Sequence, residues 1–293
     1  MNLPAIHARM RHAATVARLP LARGRWSGPA GGVAGRGTGS SIDFQDQRPY
    51  VAGDDPRHIN WTASARTGFH TMKLYHEEVS PRVDLVVDMS ASMFIAPAKA
   101  ERTWELAYFC VESGIRQGGH LRIIRLGRSA GEAPAEVPLA AVLAHDWPTA
   151  EPVTAAPQLL ADHLPRVPWR PGSLRILVSD LLDPSPPDAA STHLAARGGR
   201  ALVIAPAARE ERDPDWPDAV EFEDCESAAR RRQIVDEHVR SRYAAAYRRH
   251  FALWREAALR RGIGFARIDA EGEFLAALRG DPLASGVVET MGG

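Results

Sequence analysis

The chain has 293 residues, with 36 Lys+Arg against 36 Asp+Glu and hydrophobic residues at 45%. That composition suits a folded domain large enough to build its core without disulfide staples. The charge balance excludes a global positive field for nucleic acid or an anionic membrane. No apolar run approaches a membrane span, and two cysteines, Cys110 and Cys225, do not make a disulfide framework. A reducing compartment fits that usage.

The first acid is Asp43, whereas arginine recurs at positions 9, 11, 18, 23, 25 and 36. This opening reads either as a basic arm or as a helix lying on the domain. It is not a secretory signal, because arginines interrupt every candidate apolar core. Gly24 to Gly39 reads as a loop. From Val83 a βα alternation begins. Val83–Val87 is a short apolar, β-branched run, as a buried parallel strand should be. Lys99–Gln117 is predicted as a helix with Trp104, Ala107, Tyr108, Val111 and Ile115 apolar, stopped by Gly118-Gly119. Leu121–Leu126 is the second strand, Gln158–Leu164 a short helix, Leu174–Val178 the third strand and Ala201–Ala205 the fourth. Ser227–Arg261 is the longest helical pattern, with one apolar stripe through Val239, Tyr243, Tyr247, Phe251, Trp254 and Ala258. Arg248, Arg249, Arg255, Arg260 and Arg261 lie outside that stripe, on a face that reads as solvated. Phe265–Ile268 is the last strand. Strands separated by helices imply a mostly parallel sheet covered on both faces.

Several motifs fail. Gly127-Arg128-Ser129-Ala130-Gly131 has the spacing of a nucleophile elbow, but Pro134 and Pro138 follow where a helix is required. Gly35-Arg36-Gly37-Thr38-Gly39 has no preceding strand and misplaces the last glycine of a dinucleotide loop. No histidine spacing supports zinc.

Asp88-Met89-Ser90-Ala91-Ser92 stands at the carboxyl end of the first strand, the edge where open parallel sheets bind ligands. One carboxylate and two hydroxyls are hard oxygen donors suited to Mg²⁺ or Mn²⁺. Asp180, after the third strand, adds a carboxylate at the same edge. The same residue types also cap helices and turns, so the spacing alone leaves both readings open. A phosphatase built on a strand-end aspartate needs a second aspartate two residues on, as general acid. Here that position is Ser90, and the only lysines are Lys73 and Lys99. A metal-dependent hydrolase is therefore the alternative, not the leading reading.

The strand-end pattern, with Asp180, resembles the metal-ion-dependent adhesion site of von Willebrand factor A-like domains. Upstream, the stretch from Arg48 to Arg66 resembles the hallmark block of the domain-of-unknown-function 58 family, R-x-Y-x-x-G-D-x-x-R-x-I-D-W-x-x-S-A-R. Asn60 replaces the family's usual aspartate. Bottom-up, Asp54, Asp55, Arg57 and Arg66 form either an internal ion-pair network or a partner surface, and Trp61 could be a buried anchor.

The resemblance implies a Rossmann-like, von Willebrand A-type α/β domain with a mostly parallel sheet. Its expected extent is residues 81–280, with an N-terminal extension over 1–80 packed on it and a tail over 281–293. It implies Mg²⁺ or Mn²⁺ held by Asp88, Ser90, Ser92, Asp180 and a loop threonine, Thr154 or else Thr149. It implies no catalysis, but metal-dependent binding of a partner's acidic side chain. The role would be chaperone-like or in assembly, beside a MoxR-type AAA+ ATPase. Soluble, cytoplasmic residence, with no nucleic acid, completes the expectation.

Overall fold

In the computed structural model the described residues are 1–21, 30–38, 44–51, 54–127, 132–147, 159–196, 199–225 and 228–291. The chain opens with α1 (Leu3–Val16) and a two-residue strand, β1 (Ala17–Arg18). Strands β2 (Ala30–Thr38), β3 (Phe44–Pro49) and β4 (Thr71–Val79) follow, with α2 (Trp61–Thr67) before the last of them. Next come β5 (Arg82–Val87), α3 (Pro97–Arg116), β6 (His120–Arg125), β7 (Ala135–Val137), α4 (Leu139–Leu143), α5 (Leu160–His163) and β8 (Leu174–Val178). The chain continues through α6 (Pro187–Ala195), β9 (Arg200–Ala207), α7 (Arg209–Arg212), β10 (Ala219–Glu223), β11 (Arg230–Ile234) and α8 (Glu237–Arg260). It closes with β12 (Gly264–Asp269), α9 (Phe274–Leu278), α10 (Asp281–Ala284) and β13 (Glu289–Thr290).

Six strands make the central sheet in the order β12-β9-β8-β5-β6-β7. All neighbours are parallel except the edge strand β7. The fold is thus α/β with a mostly parallel sheet, as the strand runs imply. Alternation along each strand sends side chains to two cores. Leu85, Val87, Ile176 and Ile204 face α1, α3 and α9, whereas Val86, Leu177 and Val203 face α5, α6 and α8. The stripe on α8 buries Tyr247, Phe251 and Trp254 in the second core. Of the arginines outside it, Arg255 pairs with Asp281 at 2.7 Å, and Arg260 and Arg261 pair with Asp188 at 2.9 and 2.7 Å.

Helix α3 is buried nearly all round, from Lys99 to Gly114, because α1 covers the side turned away from the sheet. The acid-free opening matches α3's acids. Arg9 reaches Glu105 at 3.0 Å and also Glu101, and His7 Nε2 meets Glu112 Oε1 at 2.6 Å. Ile6, Met10, Ala13 and Ala14 complete that contact. The 1–80 stretch divides in two. Its first part is core of the main domain. By contrast, β2, β4 and β3 form a separate antiparallel sheet, and its buried Ile59 and Met72 belong to neither main core. The end of the chain is no loose tail: Val287 and Val288 are buried, and β13 pairs antiparallel with β1.

Two elements differ in kind from their sequence reading. Ala30–Thr38, within the stretch that reads as a loop, is strand β2, because β4 pairs with it antiparallel. Residues 230–234, expected to start the long helix, form β11 instead. Local propensity is overridden by antiparallel pairing with β10, where Arg232 meets Glu221 at 3.0 Å and Arg230 meets Glu223 at 2.9 Å. Helix α8 starts only at its N-cap, Asp236, whose side chain accepts from Val239 N at 2.8 Å.

If α1 belongs to the core, Met10→Ala should cost about 2–5 kcal/mol, the usual penalty for truncating a buried methionine. Urea unfolding measures it, and a change below about 0.5 kcal/mol, typical of surface positions, would mean that α1 merely rests on the surface.

Candidate functional site at the carboxyl edge of the sheet

The register of β5 against β8 pairs Val87 with Val178. The next residues, Asp88 and Ser179, therefore leave the sheet side by side. Asp88 is buried and its two oxygens have separate partners. Oδ1 accepts from Ser90 N at 2.9 Å and Oδ2 accepts from Ser179 Oγ at 2.6 Å. The Ser90 and Ser92 hydroxyl oxygens lie 3.1 Å apart in the loop that follows. Asp180 stands at the same edge, close enough that its charge, after burial, helps push the Asp88 carboxyl up to about 6.

Asp180 also meets a residue that sequence reasoning set aside. Lys99, fully buried in the first turn of α3, donates to Asp180 Oδ2 at 2.6 Å and also to Glu211 Oε1. Burial opposes its charge, but the two carboxylates outweigh burial and raise its pKa. So one of the chain's two lysines does reach the end of a later strand. It gives no help to a phosphatase reading, since it is shut from solvent and held by two carboxylates. A cation in a helix's first turn opposes the helix dipole, and that was the one local sign of a buried partner.

The remaining Asp180 oxygen, Oδ1, accepts from Leu182 N at 3.1 Å. Between them Leu181 adopts φ 60°, a conformation uncommon for a side-chain-bearing residue. Ser179 Oγ accepts its N–H at 3.1 Å, and the His250 ring of α8 meets its carbonyl at 2.6 Å. The floor of the edge is therefore tied to β5, β8, α3, α7 and α8. Thr149 and Thr154 lie outside the described residues.

Above this floor lies a cleft of about 650 Å³. Asp88, Ser90, Ser92 and Asp180 line one side, Leu160 and Leu182 a second, and the β10–β11 hairpin brings Phe222 and Arg231 over it. Among the described residues no group of three or more His, Cys, Asp and Glu is placed to hold a metal ion. Asp84, also inside β5, is not part of this edge. It is fully buried at the strand's other end, accepting from Arg170 Nε at 2.6 Å and Ser173 Oγ at 2.8 Å.

The upstream block has its own local logic. Arg48 donates twice to Asp54, each at 2.7 Å, and Asp54 Oδ2 accepts from Val51 N at 2.9 Å. Asn60 caps α2 by accepting from Ala63 N at 3.2 Å, a task its carbonyl oxygen shares with an aspartate carboxylate. Ser64 Oγ accepts from Thr71 N at 2.9 Å, tying α2 to β4, and Gly68 ends the helix at φ 76°. Trp61, a candidate buried anchor, is instead 64% exposed.

A family model described as "Protein of unknown function DUF58" matches residues 46–252, which include both this block and the sheet edge. The chain belongs to the DUF58 family. It is 29% identical over 220 residues to the uncharacterized proteins Rv1480 of Mycobacterium tuberculosis and Mb1516 of Mycobacterium bovis. Those alignments cover 71% of this chain and 68% of each relative. Among solved structures, the conserved hypothetical protein BatB from Bacteroides thetaiotaomicron overlays 70% of this DUF58 chain and 98% of its own, at 12% identity and a TM-score of 0.36. No helix among the described residues is long and apolar enough to cross a membrane.

Two measurements test the electrostatics of the edge. The folded protein holds the Asp88 proton more tightly than the unfolded chain does. Its contribution to stability is therefore full below about pH 4 and is lost as pH rises through about 6. In EDTA, Asp88→Asn should remove that dependence and gain roughly 1–3 kcal/mol at pH 7 in urea unfolding. Lys99→Met, which strands two buried carboxylates, should cost about 3–5 kcal/mol at the same pH.

Proposed function

We propose that this protein is a metal-dependent protein-binding module of the von Willebrand A type. Mg²⁺ or Mn²⁺ at the carboxyl edge would hold an acidic side chain of a partner protein. The role is chaperone-like or in assembly, beside a MoxR-type AAA+ ATPase, as the family resemblance implies, and no chemical turnover is assigned to it.

The observation that carries this reading is the pair of Ser90 and Ser92 hydroxyls, 3.1 Å apart, beside buried Asp88 at the foot of an open cleft. Neighbouring ligands of an ion with bonds of about 2.0–2.1 Å lie about 3 Å from each other. The charge around the floor agrees. Asp88, Asp180 and Glu211 carry three carboxylates against the one ammonium of Lys99, which leaves two negative charges for a divalent ion. Hydroxyls and carboxylates are hard donors, which favours Mg²⁺ and Mn²⁺ over softer metals.

In this proposal Ser90 and Ser92 hold the ion through their hydroxyls. Asp88 holds it directly or through water. Asp180, already bound to Lys99, acts through water, and Thr154 is the loop contributor. The ion supplies an electrophilic position for an incoming carboxylate. The protein's own residues supply a fixed floor and the apolar walls that exclude water around the contact.

Titration calorimetry with Mg²⁺ tests this directly. The parent should bind with modest affinity, and Asp88→Ala and Ser90→Ala should abolish the binding heat while circular dichroism stays unchanged. Partner capture should likewise be lost in EDTA. If Asp88→Ala takes up Mg²⁺ like the parent, the loop is only a turn cap and the reading fails.

A further inference from the structure

The apolar stripe of α8 runs past the end of the second core. Tyr247, Phe251 and Trp254 are buried, but Tyr243 and Val239, one and two turns before Tyr247, are only half-buried. There the stripe faces the β10–β11 hairpin across a groove of about 670 Å³. On the helix wall, Val239, Arg242, Tyr243 and Ala246 stand at i, i+3, i+4 and i+7, which is one side of a helix. On the hairpin wall, Phe222 pairs with Arg231 directly across the ladder, so their side chains share a face. Trp216 joins the walls, its ring meeting Phe222 at 5.0 Å and Tyr243 at 4.7 Å, each edge-on. All of these residues line the groove. Arg240 of α8 fixes the approach to the hairpin, donating to the Trp216 carbonyl at 2.9 Å and to Asp218 at 3.2 Å.

The charges around the groove leave one sign over. Glu221 pairs with Arg232 at 3.0 Å, Glu223 with Arg230 at 2.9 Å and Asp218 with Arg240 at 3.2 Å. Arg231 and Arg242 are exposed, and neither side chain makes a hydrogen bond, ion pair or ring contact with any described residue. Helix spacing gives Arg242 no acid either, since the residues three and four positions away are His238, Val239, Ala245 and Ala246. Arginines that serve only to cover aromatic rings stack on them, and these two do not. Among the described residues no acid lines the groove. It thus combines three rings with two uncompensated guanidinium groups, one on each wall.

We propose that this groove is a docking site for an acidic segment of a partner protein, with an apolar side chain seated on Trp216, Phe222 and Tyr243 and carboxylates paired with Arg231 and Arg242. It needs no metal ion, although Phe222 and Arg231 also border the cleft at the sheet edge. Aromatic residues and arginine are the types enriched where proteins meet, and a guanidinium fork matches a carboxylate. A second copy of this chain fits less well: in a two-fold contact the groove would meet itself, setting these arginines against like charges. Single-stranded nucleic acid also stacks on aromatics. Yet it needs a row of cations along its phosphates, and Arg230, Arg232 and Arg240 are already matched.

The test uses the full chain in EDTA, with labelled peptides followed by fluorescence anisotropy. The probe is a peptide of glutamates with two central leucines. Its comparators carry lysine for every glutamate or alanine for both leucines, and oligothymidylate stands for nucleic acid. The probe should bind at least about tenfold more tightly than each comparator. Arg231→Glu combined with Arg242→Glu should weaken the probe about tenfold or more and favour the lysine peptide. The unfolding midpoint should not move, because both side chains are exposed. Arg248→Glu, the same charge change at an exposed position of α8 outside the groove, should leave binding unchanged. Phe222→Ala should weaken the probe about tenfold, and Arg242→Glu alone decides the matter if either of the other groove variants misfolds. The proposal is overturned if the probe does not bind, if any comparator binds as tightly, if the folded groove variants bind the probe like the parent, or if Arg248→Glu weakens it as much. It is also overturned if the double variant abolishes a self-association seen in the parent. Failure here leaves the metal reading untouched, because EDTA is present throughout.

Discussion

A single buried ammonium organises the carboxyl edge of this sheet. Lys99 is fully enclosed and grips Asp180 on one side and Glu211 on the other. An isolated charge there would be costly, so the two carboxylates are obligatory partners. In meeting them, Lys99 ties the start of α3 to the end of β8 and to α7. Glu211 extends the tie: its Oε2 accepts from Ala208 N at 3.0 Å, and its carbonyl oxygen accepts from Tyr243 of α8 at 2.6 Å. Asp88 sits in the same enclosed field and feels the charge of Asp180. The edge is thus held from below by one charge network, while the loop carrying Ser90 and Ser92 faces the cleft.

The same principle, acid matched to base across long sequence distances, assembles the rest. Helix α3 buries Glu105 and Glu112 because α1 brings Arg9 and His7 to them. Asp84 is buried in the middle of the sheet because Arg170 and Ser173 arrive from another loop. Part of the balanced charge is therefore paired inside the domain and not on its surface. This pairing explains why a basic opening segment serves the domain's core. It also explains why the arginine-rich long helix is no simple cationic face, since three of its arginines are bound to Asp188 and Asp281.

Two surfaces with different chemistry result. The sheet edge offers hydroxyls and carboxylates on a rigid floor, beneath a two-stranded hairpin. The groove between that hairpin and α8 offers three rings and two unmatched arginines.

Much of this could be read from the sequence, for a local reason. Buried parallel strands are short apolar runs, so Val83–Val87 and Leu174–Val178 announced themselves, and the residues just after them, Asp88, Ser90, Ser92 and Asp180, had to lie at one edge. The apolar stripe on α8, spaced by three or four residues, was equally plain, because helix periodicity encodes the buried face. What the sequence left open was every choice of distant partner. Lys99 lies 81 residues from Asp180 and 112 from Glu211 in the chain. Residues 230–234 had helical composition, yet they became a strand because β10 was there to pair with them. Trp61 looked like an anchor and stands in solvent. Periodicity tells a residue which side of its own element to face; only the packed chain decides what, if anything, waits on that side.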